Sequence, residues 1–353
     1  MTCHPHPHIF AALFHQIKCT MRSPYFLLLF LLPCFLSCQQ AEEQAMLQLN
    51  SKAIAGTDPA PTASANVLFQ STDGGQTWQD ISAGLSLDVK PEGFFANEGE
   101  LLLTATDGIY RSNAASKTIN WEKEGFLQRP ISSVSTSPAG TMAVVGNQKF
   151  FQKLKGTDVW MPIFTDFKGQ FLRTVFTAKD GSIFIGSDDG LYKSTDGGKN
   201  WKYVMQHGWV IEMVESDGVL LCTNQGGILR STDGGETWEI VLSEGGVGID
   251  VAPIKGGFAA IDYSHGDEIR HVQISTDAGK TWKRIDAGLP PSKLISSILQ
   301  VGDAFYCGHP DGIFRSYDQG KSWQLQLPTI GKKVFNLSMV NGVLYAFLRE
   351  GGC

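Results

Sequence analysis

Seven of the chain's eight tryptophans fall on one ruler. Trp78, Trp121, Trp160, Trp201, Trp238, Trp282 and Trp323 stand 37 to 44 residues apart, and a period of that length commits a chain to repeated supersecondary units. Five of them close an octapeptide whose fullest copy is Ser231-Thr232-Asp233-Gly234-Gly235-Glu236-Thr237-Trp238. The others run Ser71 to Trp78, Ser194 to Trp201, Ser275 to Trp282 and Ser316 to Trp323. Two further copies, Ser112 to Trp121 and Lys153 to Trp160, have decayed.

The octapeptide is a turn that satisfies itself. Ser and Asp side chains bond backbone groups a few residues on, and the glycines supply the positive φ of a tight hairpin loop. The Trp then opens the next strand and buries a large ring. Asp73, Asp196, Asp233, Asp277 and Asp318 are therefore expected to be structural.

Within a unit the order is constant. One unit runs Phe171 to Thr177, a turn at Lys179-Asp180-Gly181, Ser182 to Ser187, a turn at Asp188-Asp189-Gly190, Leu191 to Ser194, the Asp turn, then Trp201 to Met205. Four short strands joined by tight turns at this period predict the antiparallel blade of a β-propeller. The first structured piece, Asn66 to Ser82, supplies only a third and fourth strand, and the last, Lys333 to Gly352, only a first and second. Joined, they make one composite blade that leaves no open sheet edge. The expectation is an all-β, seven-bladed propeller over residues 66–353.

The rest of the chain is read differently. Residues 1–20, with His4, His6 and His8 among prolines, have the look of a metal-binding tract, but read better as an extension ahead of a true start at Met21. Residues 21–37 form an export signal: Arg22, the apolar run Tyr25 to Leu32, then small and polar residues. Phe35-Leu36-Ser37-Cys38 resembles a bacterial lipoprotein signal, although Phe35 replaces the common Leu and Leu36 a smaller residue. That resemblance implies lipidation at Cys38, a membrane anchor and an envelope location, periplasmic or at the cell surface. Residues 38–65, rich in Gln, Glu, Ala, Ser, Thr and Pro, form a flexible tether. Cys222 and Cys307 sit in apolar strand runs and are expected to be buried free thiols.

With a net charge of −6 the chain offers no basic footprint for nucleic acid. No cofactor motif is present, and no metal is expected.

Candidate ligand residues come from the innermost strands, which line a propeller's channel. Aligned by the first turn's glycine, one column is apolar throughout: Phe94, Val134, Val175, Met213, Val251, Ile298 and Leu337. The preceding column is small or polar: Gly93, Ser133, Thr174, Glu212, Asp250, Ser297 and Asn336. Alternate strand positions face opposite ways, so the second column should ring the channel. Glu212 and Asp250 could meet a cation, an amine or a sugar hydroxyl, and a merely water-filled channel would be polar as well. Trp209 is either an exposed stacking platform or a wedge between blades. Arg173 stands alone near the start of its strand. Asp188, Asp189, Asn224, His265, Asp267, His309 and Asp311, in the second turns, should share the Trp209 face, and Asp188 and His309 join the ligand-binding candidates.

The five octapeptides resemble the Asp-box, or bacterial neuraminidase repeat, Ser-x-Asp-x-Gly-x-Thr-Trp. Ser71, Asp73, Gly75, Thr77 and Trp78 fit it throughout, as do Ser231, Asp233, Gly235, Thr237 and Trp238; Asn200 and Ser322 replace Thr in two copies. Sialidases, two-propeller xyloglucan-active glucanases, the sortilin ectodomain and photosystem II assembly factor-like proteins share it. Sialidases are six-bladed and use three arginines, a Tyr–Glu pair and an acid/base. Here Arg129-Pro130-Ile131 scrambles their Arg-Ile-Pro motif, and no three arginines hold equivalent inner positions. The glucanases clasp glycan between two propellers, and this chain has one.

By size and blade count the chain is most similar to the photosystem II assembly factor-like and sortilin-like group. That resemblance implies a non-catalytic propeller binding a protein, peptide or glycan in the cell envelope. The competing expectation is a glycoside hydrolase using Glu212 and Asp250, whose carboxyl groups would then stand about 5–9.5 Å apart in an open cleft. A purely structural envelope component is the third.

Overall fold

Each Gly-containing turn of the repeat reverses the chain, so its four strands pair as consecutive antiparallel neighbours. A computed structural model describes residues 65–349 apart from 98, 117, 126–128, 138, 139, 166, 168 and 332. The expectations placed on residues 1–64, including the export signal, the lipid anchor at Cys38 and most of the tether, lie outside the described residues. Seven four-stranded antiparallel sheets follow one another as the blades of a β-propeller, with no helix among the described residues. We number them in chain order: blade 1 spans Pro91 to Lys123, blade 2 Ile131 to Ile163, blade 3 Leu172 to Gln206, blade 4 Val210 to Leu242, blade 5 Gly245 to Arg284 and blade 6 Ser297 to Pro328.

Blade 7 closes the ring in the predicted way. Leu68–Ser71 and Gln79–Asp80 form its two outer strands, and Val334–Val340 and Val343–Arg349 its two inner ones. Leu68–Ser71 pairs antiparallel with Val343–Arg349, placing Leu68 opposite Phe347 and Ser71 opposite Leu344. The two ends of the propeller segment are thus hydrogen-bonded into one sheet.

Burial follows from position within a blade. The second strand is flanked on both sides, and in blades 3, 4 and 6 every residue of Ile183–Ser187, Val219–Asn224 and Ala304–His309 is buried. Apolar packing gathers between the sheets. Seven core clusters each span one pair of neighbouring blades, for example Val219, Leu221, Ile228 and Leu242 of blade 4 against Val251, Phe258 and Ala260 of blade 5. The core is therefore a ring of seams, as expected when each repeat buries its faces only against its neighbours.

The Asp turns are clamps, as their multiplicity implies. In blade 4 the Ser231 hydroxyl donates to Asp233 Oδ1 (2.8 Å) and accepts from the Gly235 amide (2.8 Å). Asp233 Oδ1 accepts from the amides of Glu236 and Thr237 (3.0 Å each), and Oδ2 accepts from the Thr237 hydroxyl (2.6 Å). Where Thr is replaced, the Asn200 side-chain amide (2.7 Å) or the Ser322 hydroxyl (2.6 Å) makes the same bond. Hydrogen bonds from Ser322 and from its amide hold Asp318 down at about 2. Gly235 has φ +85°, and a Cβ there would come 2.5 Å from the Phe184 ring of blade 3, which excludes other residues.

In three blades the basic residue just before the first Ser of the Asp turn reaches to the next blade's Asp turn. Lys193 meets Glu236 (2.6 Å), Arg230 donates to the Ala278 carbonyl (2.7 Å), and Arg315 donates across the closing seam to the Gly74 carbonyl (3.0 Å). One such carboxylate supports a turn already held by its neighbours and its glycines. Asp233→Ala should therefore lower Tm by only a few degrees, roughly 2–4 °C, in a thermal melt followed by circular dichroism. Ligand binding by the folded variant should be unchanged.

Candidate functional site

An innermost strand has a free edge, and its outward amides need acceptors. The polar column supplies them, blade to blade. Ser133 accepts from the Val175 amide (3.1 Å), Asp250 from Ile298 (2.7 Å) and Ser297 from Leu337 (3.0 Å). Glu212 likewise accepts from Val251. Each polar residue thus satisfies the apolar-column residue of the following blade. The apolar column packs as anticipated: Phe94, Val134, Val175, Met213, Val251 and Ile298 are buried, and Leu337 half-buried.

The polar residues sit deeper than an open channel lining would. Ser133, Thr174, Asp250 and Ser297 are buried, with Glu212 and Asn336 half-buried, and the Ser133 and Thr174 hydroxyls lie 3.2 Å apart. They still border one shared cavity of about 520 Å³ at the ring's centre, together with Glu92, Ile211, Ile249, Arg270, Leu294, Asn336 and Arg349. Arg349 pairs with Glu92 at 3.2 Å, joining the composite blade to blade 1.

Glu212 and Asp250 are hydrogen-bonded to each other across the seam of blades 4 and 5. Burial, and then the Asp250 charge, push Glu212 well above the usual carboxylate range. Burial raises Asp250 too, offset in part by hydrogen bonds from Glu212 and the Ile298 amide.

A second constellation stands beside the cavity. The Arg173 guanidinium lies 5.4 Å from the Phe171 ring centroid and 5.2 Å from that of Trp209, and its Nε donates to Asp188. Arg173, Asp188 and Trp209, picked separately from the sequence, meet here. Thr174 and Ile211, just beyond Arg173 and Trp209 on their strands, line the cavity. Trp209 is half-buried, and Asn224 of the second turn donates to its carbonyl (3.2 Å). Phe171, 44% exposed, is the outer face of the stack.

His309 has a different surrounding from the one anticipated for a ligand-binding residue. It is 2% exposed; its Nε2 lies 3.0 Å from the Pro290 carbonyl, and its Nδ1 accepts from the Asp311 amide (3.1 Å). Burial lowers its pKa, and neither ring nitrogen of the neutral imidazole is free for a ligand. Cys222 and Cys307 are buried free thiols. Sequence reasoning missed Phe171, which stands two residues before Arg173 but is one of 21 phenylalanines, and the Arg349–Glu92 pair, which joins blade 7 to blade 1.

Comparison with known proteins gives the fold a context. Residues 273–284 match the BNR/Asp-box repeat family. No curated protein matches the sequence. Among solved structures, the GH74 xyloglucanase from Xanthomonas campestris superposes with a TM-score of 0.58 at 15% identity, covering 77% of this chain and 53% of that one. YCF48 bound to D1 peptide superposes with a TM-score of 0.53 at 14% identity, covering 84% of this chain and 100% of that one. The extracellular domain of BT4673 from B. thetaiotaomicron gives 0.57 at 10% identity, covering 72% of this chain and 38% of that one. The chain spans well under two thirds of the first and third. At such identities the likeness is one of fold.

Proposed function

We propose that the chain is a non-catalytic binding propeller of the cell envelope that takes a protein or peptide on the face marked by Trp209. The Phe171–Arg173–Trp209 stack carries this reading. It places an exposed aromatic ring, a guanidinium oriented by Asp188 and an indole beside a polar cavity, and aromatic residues and Arg dominate binding hot spots. A propeller of the same fold, YCF48, has been solved with a peptide bound, which supports a peptide over a glycan. Glu212 and Asp250 are engaged with each other and with the Val251 and Ile298 amides, which weighs against hydrolysis. Export through residues 21–37 and lipidation of Cys38 are the route we propose to the envelope.

The full chain, immobilised and screened against a random peptide library and a glycan array, tests the reading. Peptide ligands should emerge whose affinity falls at least tenfold in Trp209→Ala at unchanged Tm. Turnover of a fluorogenic glycoside, abolished by Glu212→Gln, would replace binding with hydrolysis.

A further inference from the structure

Blade 5 contains a buried titratable network that neither the cavity nor the Trp209 stack uses. His271 is 4% exposed, with Nδ1 2.7 Å from Asp286 Oδ2 and Nε2 2.9 Å from Asp267 Oδ2. Two residues further along the strand, the Gln273 side-chain amide donates to Asp262 Oδ1 (2.9 Å) and Glu244 Oε1 (3.1 Å). Arg284 of the outermost strand donates from Nε to Glu244 (3.2 Å). Asp262 is fully buried, and its Oδ2 has no hydrogen-bond partner. The charged groups around Asp262 are Glu244, His271 and Arg284, and those around His271 are Asp267, Asp286, Glu244 and Arg284. From blade 6, the Cys307 thiol lies within electrostatic reach of Asp286.

These contacts tie the three outer strands of the blade to Glu244, the residue leading into its innermost strand, through groups whose hydrogen bonding depends on their protons. We propose that blade 5 is a proton-responsive element of the ring, whose outer strands are held by the Glu244–Gln273–Asp262 and Asp267–His271–Asp286 networks while these keep their protons and loosen locally once they lose them.

The direction follows from each group. Burial pushes Asp262 up to about 6, partly opposed by Gln273. A carboxyl raised in the closed blade favours closure fully below its ordinary value of 3.8, and that contribution is lost as pH rises to about 6. Burial works against the His271 charge, but the hydrogen bonds it donates to Asp286 and Asp267 overcome it and raise the imidazole. Its contribution is present below the ordinary imidazole range and disappears as pH rises through the raised value. Asp267 is lowered, so it sets the opposite, acid limit. Closure is therefore tightest near pH 5 and weaker at pH 8. Asp250 and Arg270, which line the central cavity, belong to the same blade, so loosening would reach the channel wall.

Hydrogen exchange of the full chain by mass spectrometry, at pH 5 and pH 8 and corrected for intrinsic rates, tests the idea without any ligand. Peptides from 257–284 should open more readily at pH 8, by up to roughly a hundredfold for a shift of about two pKa units, while peptides from 304–328 of blade 6 hold their protection. Asp262→Asn should leave blade 5 better protected at pH 8 than the parent. If that variant does not accumulate folded, His271→Gln serves, and the gap between its pH 5 and pH 8 protection should be narrower than the parent's. Equal changes in blades 5 and 6, or variants that track the parent at both pH values, would overturn the proposal.

Discussion

Gly308→Ala will destabilise the ring far more than loss of any Asp-turn carboxylate. Gly308 lies in the buried second strand of blade 6, opposite Ser297, and a Cβ there would stand 2.0 Å from the Phe335 carbonyl oxygen of blade 7. It would also come 2.6 Å from Ser296 Oγ and 2.8 Å from Ser297 Oγ. Both hydroxyls are committed: Ser296 donates to the Phe335 carbonyl (2.6 Å), and Ser297 accepts from the Leu337 amide (3.0 Å). The methyl group can be admitted only by moving the inner strand of the blade that closes the ring. Overpacking against backbone with loss of two seam bonds should cost about 3 kcal/mol, or roughly 6–12 °C in Tm. A thermal melt and a urea titration measure it, and a Tm within 2 °C of the parent would refute the account. Gly186→Ala makes the same collision between blades 3 and 4, where the Cβ would be 2.4 Å from the Val210 carbonyl, and should behave alike.

That contact shows where sequence reading stops. The tryptophan ruler exposes blade count, strand order and composite closure because each depends on spacing along one repeat. The two inner-strand columns are legible for the same reason, since alternation tells which residues face the seam. Their partners are not legible. The amide that Ser133 serves belongs to Val175, and the one that Asp250 serves to Ile298, each a whole blade away. Alternation therefore presents Asp250 as a channel group, when its first task is to satisfy a strand edge. His309 misled similarly. A His before an Asp-Gly turn has the pattern of a surface group, but the Pro290 carbonyl and the Phe314 ring, 5.2 Å away, enclose it. The blade 5 network joins Glu244 to Gln273 and Arg284 across 29 and 40 positions, and no local pattern announces it.

Asp250 is where seam and site can be separated. In blades 2 and 6 a serine does its structural work, with one hydroxyl accepting one amide. A carboxylate brings a charge that the seam does not require, beside a second acid whose pKa burial and that charge raise. Asp250→Ala leaves the buried Ile298 amide without its acceptor and Glu212 without its partner, and should cost roughly 2–4 kcal/mol, read as a lower urea midpoint at unchanged slope. Asp250→Ser restores the kind of acceptor found in blades 2 and 6 and should recover most of that loss. If the alanine variant is as stable as the parent, the seam role is wrong. With the serine variant folded, its affinity for peptides selected by the parent decides what the charge is for. Binding that survives assigns recognition to the Trp209 stack alone, whereas binding lost at full stability assigns the Glu212–Asp250 pair to the ligand.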